Sequence, residues 1–290
     1  MAGIDINRTT SGVSLPPQVS SEIWATAQEQ SAVMQLARQI QMPGSGISVA
    51  TITGDPVADW VDETDEKPVS RGTVGQATLT PYKLAVIEPF SNEFRRDLPG
   101  LYSALASRLP GALATKFDAT VFSGSAPGSN FDVLTGSDAV GISGDTWTGL
   151  IAADAAVSAA GGLLNGWALS PQARSLLLGQ VDANGRPLYV TSMTTDNSVP
   201  SLLGAPVYLT KAVYLDATDD VLGFAGDWSA ALYGTVEGVQ ISVSDQATLT
   251  DGETTINLWQ RNMFAIRAEI EIGFRVKDDA LFVALTAAAA

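Results

Sequence analysis

Cysteine and histidine are both absent from this 290-residue sequence, and each absence removes a class of chemistry. Without cysteine there is no disulfide framework and no thiolate nucleophile, a composition compatible with a reducing compartment. Without histidine, imidazole catalysis and imidazole metal ligation are excluded. Positive charge is scarce: 16 Lys and Arg stand against 31 Asp and Glu, a formal net charge of −15. Such a chain repels a phosphate backbone instead of releasing its counterions, so sequence-specific nucleic-acid binding is not expected. Long hydrophobic runs are missing too. The longest uncharged apolar stretch, between Asp154 and Arg174, is broken by Gly161, Gly162, Asn165, Gly166 and Pro171, which argues against a membrane span. The start, MAGIDINRTTSGVSLPPQ, lacks the basic and then apolar order of a secretory signal, so folding in the cytoplasm is expected.

What is present is apolar material, 46% of residues, enough for one elaborate domain or two ordinary ones. Residues 1–16 read as a polar, extended arm ending at Pro16-Pro17. Loose helical spacing of Ile23, Ala27, Val33, Met34, Leu36, Ala37 and Ile40 predicts a helix from Gln18 to about Gln41, with Ser20 or Ser21 as its cap. Alternation predicts strands at 47–53 and 74–88, flanking a segment that holds an acidic cluster, Pro68 and Gly72. The two strands form a long ribbon, and a lone two-stranded ribbon buries too little surface to be stable in water. It needs something to lie on.

Ser91 opens a helical segment, and Asp97 with Pro99 marks a new helix start. Leu101, Leu105, Leu109, Leu113, Phe117 and Val121 then form one stripe ending near Gly124. Pro110-Gly111 predicts a kink there, or two helices in place of one. Residues 125–145 read as loop. A helix follows from Trp147 to Ala160, capped by Thr146 and ended by Gly161-Gly162. Next come a strand at Gly166–Leu169, a helix begun by Ser170-Pro171 and running through Leu178, and a turn at 182–189. Strands are expected at 205–210, 221–225 and 239–243. The clearest periodicity is Phe264, Ile266, Ala268, Ile270, Ile272, Phe274 and Val276; only a strand puts all of these on one face. Ala287–Ala290 reads as a frayed tail.

Motifs for chemistry are weak. GSAPGS at 124–129 is not a nucleophile elbow, GSG at 44–46 lacks the third glycine of a dinucleotide loop, and no phosphate-binding loop occurs. DANGRP at 182–187 fails as a calcium loop because Met193 stands where the bidentate Glu belongs. The cluster Asp59, Asp62, Glu63, Asp65 and Glu66 reads as solvated charge on a projecting ribbon instead of a cation site. No catalytic residue, metal or cofactor is expected.

The order of elements and several segments carry a family resemblance. ADWVDE (58–63), LTPYKLAVIEPFSNEFRRD (79–97), WALSPQARSLLLGQVDANGRPLY (167–189), LLGAPVYLT (202–210) and AGDWSAALYG (225–234) each resemble degenerate segments of the tailed-phage major capsid protein. Its Hong-Kong-97-type fold is shared with encapsulin nanocompartments and the floor of herpesvirus capsids. Their co-linear order makes the resemblance specific. It implies an α+β fold divided as an N-terminal arm and helix (1–44), an extended two-stranded loop (45–90), a peripheral-domain spine helix (91–127), an axial domain (128–250), and a long peripheral strand with the C-terminus (251–290).

The same resemblance implies a shell subunit that assembles with copies of itself as pentamers and hexamers and encloses double-stranded DNA without specific contacts. A separate scaffolding protein is expected, since no long N-terminal scaffolding segment is present, along with a portal and a decoration or cement protein. Assembly is expected in the host bacterial cytoplasm. Contacts between subunits are expected at the loop tip, through Asp59, Trp60, Asp62, Glu63, Asp65, Glu66, Lys67 and Arg71, meeting Arg95, Arg96 and Arg108 of the adjacent spine helix. Lys67 and Lys83 lie on the ribbon, but no Asn and Glu partners for a covalent cross-link are identified. An encapsulin-type compartment is the alternative, an acidic surface-layer protein is less favoured, and an enzyme comes last.

Overall fold

The computed structural model describes residues 17–52, 60–61, 67, 69, 74–93, 98–181, 201–216, 220–251 and 254–288. The chain enters through α1 (Pro17–Gln30), with Pro17 at the first helical position, where its missing N–H costs nothing. The single helix expected over 18–41 is instead three elements: α1, the short α2 (Ala32–Leu36) and strand β1 (Arg38–Gln41). The break falls at Ser31, which caps α2 by accepting from the Met34 amide at 3.1 Å. A buried carboxylate from the spine helix completes that cap. Asp118 accepts from the Ser31 hydroxyl at 2.5 Å and from the Ala32 amide at 2.9 Å. These bonds satisfy helix-start donors that nothing within α2 can reach.

Strand β2 (Ile47–Ile52) pairs antiparallel with β3 (Val74–Leu79), from Ile47 opposite Leu79 to Ile52 opposite Val74. This is the expected ribbon. The continuous strand expected over 74–88 is divided at Thr80-Pro81; β4 (Tyr82–Ser91) leaves the ribbon and joins another sheet. After β4, residues 92–93 form a short 3-10 turn, and Asp97 lies outside the described residues.

The spine, α3 (Leu98–Ser123), is one helix with Pro110 inside it, so the two-helix alternative is corrected. Pro110 and Gly111 sit where α1 crosses: a Cβ at Gly111 would lie 3.1 Å from Gln30 Oε1. Tertiary packing of this kind overrides the roughly 3 kcal/mol that an interior proline costs a helix. The stripe Leu109, Leu113, Phe117 and Val121 is buried, while the side chains of Leu101 and Leu105 are outside those described.

Two sheets flank the spine. In the first, β14 (Met263–Val276) pairs with β4 along one edge, and with β10 (Ala231–Thr235) and β11 (Gln240–Ser244) along the other. Strand β1 is added parallel to β10. The alternation of β14 is realised as expected: Phe264, Ile266, Ala268, Ile270, Ile272 and Phe274 are all buried. The second sheet has the order β5, β15, β9, β6, β8, β7, with β5 (Asp138–Gly141), β6 (Gly166–Leu169), β7 (Ser201–Leu202), β8 (Ala205–Leu209), β9 (Val221–Gly226) and β15 (Phe282–Thr286). Helices α4 (Thr146–Ala159) and α5 (Pro171–Gly179) share a core with one of its faces. A hairpin of β12 (Thr248–Asp251) and β13 (Thr254–Asn257) completes the described strands.

The spine joins the sheets. Phe117 meets Phe274 of β14 edge-on at 6.4 Å, and Phe122 stacks on Phe224 of β9 at 5.3 Å. Strands β10 and β11 pair with β14, while β15 pairs with β5 and β9. Three smaller expectations are corrected. Residues 125–145 contain a 3-10 turn and β5; short runs such as β5 take their conformation from the neighbouring strand. The cap of α4 is Asp145, which accepts from the Thr148 amide, whereas Thr146 donates to the Ile142 carbonyl. Residues 287 and 288 are tied down, with the Ala287 amide on the Asp220 carbonyl and the Ala288 carbonyl accepting from Ser143. The turn expected at 182–189 lies outside the described residues.

Burial raises the Asp118 carboxyl to about 6, against the pull of its hydrogen bonds. Because the folded value exceeds the unfolded one, the folded chain holds more protons between about pH 4 and 6. The contribution of this group to stability therefore falls as pH rises through that window and is flat above it, by about 3 kcal/mol in total. Denaturant midpoints of the unassembled subunit against pH check this: Asp118→Asn is expected to lose that component, and a profile parallel to the unaltered protein would contradict it.

Candidate functional site

Among the described residues β2 and β3 pair only with each other, and the base of this ribbon with the segment between its strands forms the candidate site. At the root, the sequence places glycines opposite each other on two paired strands: Gly234 of β10 faces Gly273 of β14. Leu79, 1% exposed, lies on this bare patch of backbone. A Cβ at Gly234 would sit 2.7 Å from the Leu79 side chain and 2.5 Å from Met42 Sδ, and one at Gly273 would sit 2.6 Å from the Thr80 carbonyl oxygen. Only glycine admits so close an approach. Three hydrogen bonds hold the same place: the Met42 amide donates to the Thr235 carbonyl at 2.8 Å, Asn130 Nδ2 donates to Thr80 Oγ1 at 3.1 Å, and the Asn130 amide donates to the Tyr82 hydroxyl at 3.2 Å. The Tyr82 ring also meets Phe131 edge-on at 6.1 Å. Both strands of the ribbon therefore leave the body from fixed points.

Between β2 and β3, Trp60 is fully exposed, Val69 is 86% exposed, and Lys67 is exposed. Asp59, Asp62, Glu63, Asp65, Glu66 and Arg71 lie outside the described residues, as do Arg95 and Arg96. Arg108 is described: its Nη1 lies 3.3 Å from Glu88 Oε1 within the same chain, with the Arg side chain 74% exposed. An exposed pair of this kind contributes about 0–1 kcal/mol, little enough to be exchanged for another partner.

Sequence reasoning singled out residues of the segment between β2 and β3 and did not single out the root. Thr80-Pro81 interrupting the alternation was the available signal there, while the pairing of Gly234 with Gly273 becomes visible only once β10 and β14 are in register. Elsewhere, a shallow cavity of about 100 Å³ is lined by Lys83, Glu237, Gly238, Gln240, Glu269 and Glu271. Its charges are engaged: Lys83 with Glu271 at 3.4 Å, Glu269 with Arg267 at 3.3 Å, and Gln240 with Glu237 at 2.7 Å. It is an ion-paired surface. Among the described residues no group of three or more acidic side chains is arranged to hold a metal, and no helix is long and apolar enough to cross a membrane.

Comparison with known proteins agrees with this arrangement of spine, ribbon and two sheets. The model of the phage capsid family matches residues 11–287. Among characterised proteins, the probable major capsid protein gp17 of Mycobacterium phage D29 is 31% identical over 94% of this chain and 89% of its own length; gp17 of Mycobacterium phage L5 is 32% identical with the same coverage. A solved structure from Gordonia phage Cozz superposes with a TM-score of 0.70 at 25% identity, covering 90% of this chain and 87% of that one. The chain belongs to the phage capsid family, as a major capsid protein with the Hong-Kong-97-type fold of tailed-phage shells.

Filling the root tests its role. Gly273→Val is expected to destabilise the subunit by about 1–3 kcal/mol and to raise amide hydrogen exchange over residues 74–82, with the second sheet unaffected. Unchanged exchange there would show that the glycine pair does not hold the ribbon.

Proposed function

We propose that this capsid subunit closes its shell by laying the ribbon on a neighbouring copy, and that Trp60 is the anchor of that contact. The observation that carries the reading is a fully exposed tryptophan on an extension whose root is fixed by Leu79, Met42 and Asn130. Full burial of a side chain of this size contributes about 1.5–3 kcal/mol or more. Nearby acids add register more than affinity. Asp59, Asp62, Glu63, Asp65 and Glu66 are complementary in charge to Arg95, Arg96 and Arg108 of an adjacent spine, and Arg108 needs only to leave its surface pair with Glu88.

The remaining partners follow from the same reading. Many identical contacts around closed rings turn modest affinities into a stable shell. A net charge of −15 suits a container whose wall must not adhere to packaged DNA, so the genome is held by enclosure. A scaffold, a portal and a decoration protein complete assembly in the host cytoplasm, after which the subunit resides in the virion.

Trp60→Ala tests the anchor: the subunit is expected to keep its circular dichroism spectrum and melting temperature while the yield of closed particles drops about tenfold or more, the effect of about 1.4 kcal/mol lost from a contact. Normal particle yield would remove Trp60 from this role.

A further inference from the structure

Asp118 takes no part in the contacts proposed for the shell, yet it is a carboxylate with no exposed surface. It sits on the spine where three parts of the chain meet. Its Oδ1 accepts from the Ser31 hydroxyl at 2.5 Å and the Val33 amide at 3.4 Å, and its Oδ2 from the Ala32 amide at 2.9 Å. The Thr210 side chain, just past β8, is a fourth partner. Every one of these partners is neutral. The described charged residues of the elements packed around the corner, Glu29 of α1, Arg108 and Lys116 of α3, and Lys211 beside Thr210, are exposed, and none of them acts on the Asp118 carboxyl. The Glu22 side chain of α1 is outside those described. Among the described residues, an ionised Asp118 is therefore a buried charge with hydrogen bonds but without a counter-charge, a costly arrangement.

What the corner holds is lightly attached. In the part of α1 whose side chains are described only Ala27 is buried; Trp24 is half-buried, and Ala25, Glu29 and Gln30 are exposed. Helix α2 has five residues, too few to be helical by itself, and buries Ala32, Val33 and Met34. Elements with so little buried apolar surface open at lower free energy than the sheets, so the bonds at the corner weigh heavily in holding them.

We propose that Ser31 and Asp118 form a proton-operated latch: with Asp118 protonated α1 and α2 stay on the spine, and its ionisation lets the two helices come free while both sheets remain folded. The bond between the two side chains serves either state. Ser31 donates when Asp118 is ionised, and Asp118 Oδ1 donates to Ser31 Oγ when it is protonated; in both, Oδ2 keeps the Ala32 amide. In the closed form burial lifts the carboxyl from 3.8 to about 6, against the pull of its four hydrogen-bond partners. In the open form it returns to its ordinary value in water. The closed form thus holds more protons between these values, and raising the pH shifts the balance toward the open form. From pH 5 to pH 8 the open population rises about tenfold, nearly all of it below pH 7. Solution pH thereby holds or releases the helices that precede β1 without unfolding the body that carries the ribbon. The latch acts within one subunit and is independent of the ribbon contact.

Hydrogen–deuterium exchange of the unassembled full-length subunit at pH 5 and pH 8, corrected for the intrinsic pH dependence of exchange, reads the opening of residues 17–36. Opening there is expected to rise about tenfold at pH 8, with β9, β14 and β15 unchanged. Equal opening at the two pH values, or a rise spread evenly over the sheets, overturns the latch. Asp118→Asn removes the titration and is expected to abolish the difference between the two pH values; a difference that persists belongs to other groups and also overturns it. Where that variant fails to fold, Ser31→Ala decides. It leaves the carboxyl in place and removes a hydrogen bond that lowers its proton affinity, so opening is expected to increase at both pH values and to keep a ratio of about tenfold or more. A ratio near one in Ser31→Ala contradicts the proposal.

Discussion

The seating of Leu79 on the paired glycines Gly234 and Gly273 is the contact on which the rest of the arrangement depends. A two-stranded ribbon cannot stabilise itself in water, and its direction is meaningless unless its root is rigid. Removing two side chains from the middle of β10 and β14 opens a flat site for the Leu79-Thr80 backbone, and Asn130 then ties both Thr80 and Tyr82 to the body. The rigid body thereby fixes the base of the ribbon.

Behind the root, the spine helix makes the two sheets one unit. Its aromatic residues reach both, and its buried Asp118 organises the corner between α1 and α2 by taking the orphan amides at the start of α2. A carboxylate in that position costs desolvation, as its raised pKa shows, and in return fixes where the N-terminal helix meets the spine. Electrostatics of the whole chain act in the opposite sense from assembly. With a net charge of −15, copies repel at long range, so in the proposed function the contact that brings them together is apolar and short-ranged, made through Trp60.

Strong local patterns were legible in the sequence. The fourteen-residue alternation of β14, the Ser170-Pro171 start of α5, the ribbon strands and the spine stripe ending at Gly124 all have signals within the segment itself. What was illegible depends on distant residues. The break at Ser31 is made by a carboxylate 87 positions away, β5 and β15 are short strands defined by each other, and Pro110 is tolerated because α1 packs beside it. The candidate site divides the same way. Trp60 stands out as an aromatic among acids, whereas the Gly234–Gly273 seat exists only in three dimensions. Of the charged residues assigned to the contact from family resemblance, Arg108 is found in a surface pair within its own chain.

The central claim is that the tip of the ribbon finds its burial on another copy of the same chain. Oxidative footprinting of Trp60, read by mass spectrometry in unassembled subunits and in closed particles, measures this directly. Heavy modification in the subunit and strong protection in the particle is the expected result; equal modification in both states would contradict the account.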